Sequence, residues 1–300
     1  MKAETAGLVV ALFAGLAVSL GADEAYRAEV RKWRADREAR LKADGGWLTV
    51  AGLFWLAEGP NPFGTDPSGR IVLPEGSAPA QAGVFDLEGG RVTVSLSPGA
   101  TGRIGGQRVS RPAAMRPDTS GPPDVLEMGA LSLNVIKRGA RYGIRLKDRN
   151  SPARKAFTGL RWFDVKEEYR VEARWVSYPQ PKPVEVPNVL GGVEPMPSPG
   201  YAEFTLSGKA LRLDAVLEDP GAEELFIIFR DQTSGKETYG AGRFLYADLP
   251  KGGKVRLDFN KAYNPPCAFT PFATCPLPPP QNRMPVRVEA GEMAYGKAGH

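Results

Sequence analysis

Histidine is almost absent from this chain of 300 residues: the only one is His300, the last. An internal Ser-His-Asp triad, a Cys-His pair and an HExxH metal helix are therefore excluded. Cysteine is nearly as scarce, with two residues. Two thiols without an internal histidine exclude a structural zinc finger, and no metal is expected. No cysteine lies near the N-terminus, which argues against a lipid-modified lipoprotein. Long apolar runs are missing beyond Leu20, so no span is expected after that point, a bilayer crossing taking roughly 20 apolar residues. Clustered positive charge is missing too. The 39 basic and 34 acidic residues give a net +5 and are scattered, apart from an early charged stretch. A nucleic-acid face shows grouped Lys and Arg, so nucleic acid is not an expected partner. The βαβ spacing of about 30 residues is also absent, which disfavours a Rossmann-type sheet.

What is present suits a globular protein with ample core material, at 42% hydrophobic and 24% charged residues. Residues 1–21 read as a signal peptide, with an uncleaved N-terminal anchor as the alternative. Lys2 is a weakly basic start, Ala6 to Leu20 an apolar stretch, and Ser19 and Gly21 small residues before a cut at Ala22 or Asp23. An exported chain, periplasmic or secreted, is expected. Loss of that segment removes Lys2 and Glu4, one charge of each sign, so the +5 stands. An amphipathic helix is expected over 22–45, with Tyr26, Val30, Trp33 and Leu41 near one face and Gly45-Gly46 as its stop.

The remainder, 46–300, reads as a single β-rich domain. The 35 Gly and 28 Pro of the whole chain are spread along it, and short alternating runs lie between them. Strands are expected at Val92–Leu96, Leu131–Val135, Tyr142–Leu146, Tyr169–Tyr178, Tyr201–Leu206, Ala210–Leu217, Leu225–Arg230, Lys254–Phe259 and Pro285–Ala290. Turn signals sit at Glu88-Gly89-Gly90, Ser207-Gly208-Lys209 and Lys251-Gly252-Gly253. This pattern predicts a mainly antiparallel all-β fold, barrel-like or a two-sheet sandwich, with one N-terminal helix. The proline-rich stretch 179–199 is either a seam or a long ordered loop.

Four segments carry polar residues that could do chemistry. Trp47 to Gly64 holds Trp47 and Trp55, core residues or the apolar wall of a cavity. Ile136 to Trp162 holds Arg145, a surface charge or a fork for a carboxylate or phosphate, with Asp148 as a possible partner. In Phe229 to Leu245, Asp231 and Arg243 can pair across a hairpin beside Thr238 and Tyr239. Asp258 to Arg283 is the most unusual. Asp258 and Asn260 have strand spacing, Asn264 precedes two prolines, and Cys267 and Cys275 bracket a short loop before Pro276 to Pro280. In an exported chain a Cys267–Cys275 disulfide is the first expectation. It would contribute about 2–3 kcal/mol by closing so short a loop. A reactive thiol made more acidic by Arg243 or Arg283 is the alternative.

Four strings together resemble the bacterial and archaeal family of domain of unknown function 1684: GWLTVAGLFWLAEGPNPFG, IKRGARYGIRLKDRNSPARKAFTGLRWF, FRDQTSGKETYGAGRFL and DFNKAYNPPCAFTPFATCPLPPPQNRMPVRVEAGE. They run from about Trp47 to Tyr295, and the last is long and compositionally odd. The resemblance implies no activity, cofactor or catalytic residue. It does imply that Asp231, Thr238, Tyr239, Arg243, Asp258, Asn260, Asn264, Cys267, Cys275, Asn282 and Arg283 belong to the family's pattern.

The expectation is a concave polar site lined by Asp231, Thr238, Tyr239, Arg243, Asp258, Asn260, Asn264 and Arg283, with the cysteine loop as its lid. The first functional reading is a binding module for a small polar or anionic ligand held by Arg243. The second is a hydrolase or lyase using Asp231 and Asp258 as an acid/base pair, a use that needs their pKa values pushed apart. The third is a structural cell-envelope protein without a small-molecule site.

Overall fold

The computed structural model describes residues 5–296, with side chains from Asp23 onward. Residues 1–21, expected to be a signal peptide, lie outside the residues whose side chains are described. The N-terminal helix runs Thr5–Lys42. No helix among the described residues is long and apolar enough to cross a membrane. The expected face is the packed one: Tyr26, Val30 and Leu41 are buried and Trp33 is half-buried. The other side carries i,i+4 ion pairs, Arg27–Asp23 at 3.1 Å and Lys32–Asp36 at 2.6 Å. Gly46 ends the helix for a steric reason. A Cβ there would sit 2.3 Å from the Leu41 carbonyl oxygen and 2.4 Å from that of Arg40.

The chain forms two compact units. One holds Arg40–Thr158 with Phe269–Ala273; the other takes the chain up to Ala39, Gly159–Ala268, and Thr274 onward. The first unit has two sheets. One orders its strands Val50–Trp55, Arg141–Asp148, Leu131–Arg138, Val125–Met128, Arg103–Ile104 and Gln107–Arg108. The other runs Ile71–Val72, Gly59–Gly64, Gly83–Glu88, Arg91–Leu96 and Ala113–Met115. All pairs are antiparallel except Phe63–Gly64 with Ile71–Val72. Alternate residues of the two sheets fill one core, including Phe63, Phe85, Val94, Leu126, Leu133, Ile144 and Leu146. Each such side chain contributes about 1.5–3 kcal/mol by burial. The Glu88–Arg91 hairpin turns on Gly89 and Gly90, at φ +55° and +84°, the two left-handed positions a tight hairpin needs.

The second unit carries the sheet Lys209–Ala215, Val193–Leu206, Arg170–Pro187 and Lys254–Asp258, plus the pair Glu224–Phe229 with Arg243–Asp248. Its core joins alternate residues of these strands: Phe204, Leu213, Ile227, Phe229, Leu245 and Leu257. Of residues 179–199, all but the turn 188–192 lie in the paired strands Arg170–Pro187 and Val193–Leu206, which continue to Pro187 opposite Val193 after a register shift between Ser177 and Lys182. Among the described residues the architecture is mainly antiparallel β in several sheets, without a closed barrel, and consistent with a sandwich.

One expected strand does not form. Pro285–Ala290 alternates as a strand should, with Val286, Val288 and Ala290 buried, but it joins no sheet. Its backbone groups are taken by other partners. Val288 N–H donates to Asp231 Oδ2 at 2.7 Å, and the carbonyls of Val288 and Ala290 accept from Arg243.

Candidate functional site

The expected site residues fall into separate hydrogen-bond clusters, all in the second unit. The first is built on Arg243, which starts a strand directly opposite Phe229. Neither the Arg243 nor the Asp231 side chain is exposed, and they pair at 3.1 Å. Arg243 Nη2 also donates to Val288 O at 2.9 Å, and Nη1 donates to Ala290 O. Asp231 accepts from Thr233 N–H at 3.2 Å, and Thr233 Oγ1 bonds Thr238 Oγ1 at 2.8 Å. Burial pulls the Arg243 pKa down and the Asp231 charge pulls it back up. Asp231 and Arg243 together replace a strand partner for 285–290.

Asp258 and Asn260 form a second cluster with the helix. Tyr26 donates to Asp258 Oδ1 at 2.8 Å, and Asn260 Nδ2 donates to Tyr26 at 2.9 Å and to Lys166 O at 2.8 Å. Lys166 N–H donates back to Asn260 Oδ1 at 3.1 Å. Lys261 lies 3.6 Å from Asp258. Burial, then the Asp258 charge, push the Tyr26 hydroxyl well above its ordinary pKa. Asn282 fixes a loop, accepting from Asp214 N–H at 2.8 Å and donating to the carbonyls of Asp214 and Ile228. Arg283 beside it is exposed. Tyr239 donates to Cys267 O at 3.1 Å, next to the cysteine pair.

Asn264 belongs to a further cluster that sequence reasoning missed. The helix inserts Arg37, 8% exposed, into the unit. Its Nη2 donates to Asn264 O at 2.9 Å, its Nε lies 3.4 Å from Glu292 Oε2, and its guanidinium lies 4.7 Å from the Tyr263 ring centroid. Glu292 and Asn264 are wholly buried. Among the described residues, Glu292 Oε1 and Asn264 Oδ1 have no hydrogen-bond partner. Desolvation pushes the Glu292 carboxyl up to about 7, against the opposing pull of Arg37 and of the Asn264 amides. Tyr263 is also pushed up by burial, although the Arg37 charge opposes it.

Over this cluster runs a row of half-buried rings, Trp162, Trp33, Tyr263 and Tyr246. Successive centroids are 5.9, 6.2 and 6.2 Å apart. Arg34 lies over Trp162 at 4.8 Å, and Tyr246 donates to Glu218.

Backbone geometry fixes Glu292. Glu292 N–H donates to Ala262 O at 2.8 Å, Met293 N–H to Arg161 O at 2.9 Å, and Phe163 N–H to Gly291 O at 3.0 Å. Gly291 has φ +79°, and a Cβ would sit 2.4 Å from Ala262 O. Both the left-handed angle and the close approach require glycine. Gly291→Ala is therefore expected to cost at least about 1–3 kcal/mol, through strain and displacement of Glu292. A urea midpoint lowered at unchanged slope checks it.

Sequence signals for this cluster existed. Arg37 lies four residues from both Trp33 and Leu41, on the apolar stripe itself. Glu292 follows a buried alternating run through a single glycine.

Comparisons with known proteins bear on this unit. The model of the family described as "Protein of unknown function (DUF1684)" matches residues 155–293. A solution NMR structure of an uncharacterized protein of Haloarcula marismortui is similar, at 33% identity over 47% of this chain and 78% of that chain, with a TM-score of 0.40. No curated protein matches.

Proposed function

The chain belongs to the DUF1684 family, and from that premise we propose that it is an exported binding protein for a small hydroxy acid or sugar acid, taken up at the Arg37–Asn264–Glu292 cluster. The observation that carries this reading is the pair of buried acceptors without a donor, Asn264 Oδ1 and Glu292 Oε1. An unsatisfied buried acceptor costs about 1–3 kcal/mol, and a ligand hydroxyl offers the missing donor. Arg37 supplies positive charge beside an anionic group. Trp33 and Tyr263 supply an apolar wall, the usual composition of a small-molecule site. Export rests on residues 1–21 and is checked by sequencing the N-terminus of the protein as it accumulates outside the cytoplasm.

Arg243 suits a ligand less well, because its Nη donors already serve Asp231, Val288 and Ala290. The acid/base reading of Asp231 and Asp258 is weakened in the same way. Asp231 is closed in an ion pair, and Asp258 accepts from Tyr26 with Lys261 close by. A second reading has one observation in its favour: Glu292, titrating near 7 beside Arg37, has the properties of a general acid or base.

A thermal-shift screen with glucuronate, lactate, glycerol phosphate and inorganic phosphate tests the proposal. A bound compound at a hundredfold excess over its dissociation constant adds about 2.7 kcal/mol of apparent stability. The expected result is a shift with a hydroxy or sugar acid that Glu292→Gln reduces. No shift with any of the four, or one that Glu292→Gln leaves intact, contradicts it. Consumption of the bound compound would favour the second reading.

A further inference from the structure

Cys267 and Cys275, expected to form a disulfide, are both thiols in this structure. They are nevertheless neighbours: Cys267 N–H donates to Cys275 Sγ at 3.1 Å. Each end is anchored by bonds that involve no sulfur. Cys267 sits in the short turn Pro266–Ala268, behind two rigid prolines, and its carbonyl accepts from Tyr239 at 3.1 Å. Cys275 is tied to the hairpin by Val189 N–H donating to its carbonyl at 3.0 Å, and by Leu277 N–H donating to Pro187 O at 2.7 Å. The fold thus brings the two thiols together without a covalent bond, which is the condition for a bond that can open and close. The two also differ in access. Cys267 is half-buried, while Cys275 is 4% exposed.

We infer that Cys267 and Cys275 form a reversible dithiol that exchanges with small external disulfides, Cys267 attacking and Cys275 resolving. Cys267, as thiolate, attacks one sulfur of a low-molecular-weight disulfide. A Cys267–S bond forms, the external S–S bond breaks, and the departing thiolate takes up the proton that Cys267 released. Cys275 then loses its proton and attacks Cys267 Sγ. The internal disulfide forms, and the second external thiolate leaves with that proton. The pair loses two electrons, and the external disulfide becomes two thiols.

The direction of attack follows from the surroundings. The Cys267 thiol is held below its ordinary pKa, chiefly by the Cys275 thiol and further by the Tyr239 hydroxyl, against the opposing effect of burial. This corrects the sequence expectation that Arg243 or Arg283 would do so: Arg243 is committed to Asp231 and Arg283 is exposed. Oxidation would close a ring containing Phe269–Ala273, where Thr270 donates to Val50 O at 3.3 Å within the first unit.

Oxidised glutathione and the full-length protein provide the test. Intact mass is expected to fall by about 2 Da on oxidation and to recover with dithiothreitol. In the reduced wild type, Cys267 should alkylate with iodoacetamide at least about tenfold faster than Cys275. Cys275→Ser should accumulate a mixed glutathione disulfide on Cys267, whereas Cys267→Ser should leave Cys275 unmodified in the folded protein. Failure of the wild type to lose the two hydrogens, equal alkylation rates, or faster modification of Cys275 would overturn the assignment. The wild-type measurements decide the matter even where a serine variant fails to fold.

Discussion

Arg243→Ala is expected to destabilise the second unit by about 3–5 kcal/mol, the cost of leaving one partner of a buried ion pair alone. Asp231 would keep its bonds from Thr233 and Val288 but lose its cation. The carbonyls of Val288 and Ala290 would lose their donors in a fully enclosed place, and 285–290 would lose what holds it extended. A total stability of 5–15 kcal/mol is ordinary for a native protein, so the variant would be near the edge of folding. Arg283→Ala, an exposed site, should stay within about 0.5 kcal/mol of wild type. Denaturant titration of both variants checks the contrast. An Arg243→Ala variant as stable as Arg283→Ala would contradict the clamp.

Glu292 gives the second large effect, and its sign is set by linkage. Its carboxyl titrates at about 7 in the folded chain against 4.5 as the ordinary value. Between those pH values the folded state holds a proton that the unfolded state has released. Stability from this group is therefore complete below about 4.5, falls as pH rises through 7, and is level above. At 1.36 kcal/mol per pKa unit the fall amounts to about 3 kcal/mol. The groups acting on Glu292 include Arg37 from the helix, Asn264 and Tyr263 from the preceding turn, and Arg243 from its strand. Glu292→Gln keeps an acceptor for Arg37 and has no proton to lose. Urea unfolding at intervals from pH 4 to 8 should show the decline in wild type and its absence in the variant. Parallel curves would contradict the raised pKa.

Alternation made most strands legible. Val92–Leu96, Leu131–Val135 and Tyr142–Leu146 lie within the observed strands Arg91–Leu96, Leu131–Arg138 and Arg141–Asp148. Glycine marked the turns, as the pairs Gly89-Gly90 and Gly252-Gly253 and as Gly208 after Ser207, because it accepts a positive φ cheaply. Pro285–Ala290 shows the limit of the signal. Alternation reports which side of an extended segment is buried, not what takes its N–H and C=O groups. Here Asp231 and Arg243 take them, and their pairing across a hairpin was legible while their use was not.

The polar pattern of the unusual C-terminal string was likewise visible as a set of residues. Its division into clusters was not, because partners come from far along the chain: Tyr26 for Asp258 and Asn260, Arg37 for Asn264 and Glu292. A loop rich in proline has few ladder bonds to offer, so its side chains and those of the helix supply the bonds. The proposed ligand site is where this supply falls short, at two buried acceptors.

Calorimetric titration of the best compound from the screen into wild type, Arg37→Gln and Arg283→Ala tests that claim most directly. The account predicts that Arg37→Gln weakens binding at least about tenfold, the loss of one charge-assisted bond, while Arg283→Ala binds as wild type. Undiminished binding by Arg37→Gln, or a loss confined to Arg283→Ala, would contradict a site at the Arg37–Asn264–Glu292 cluster.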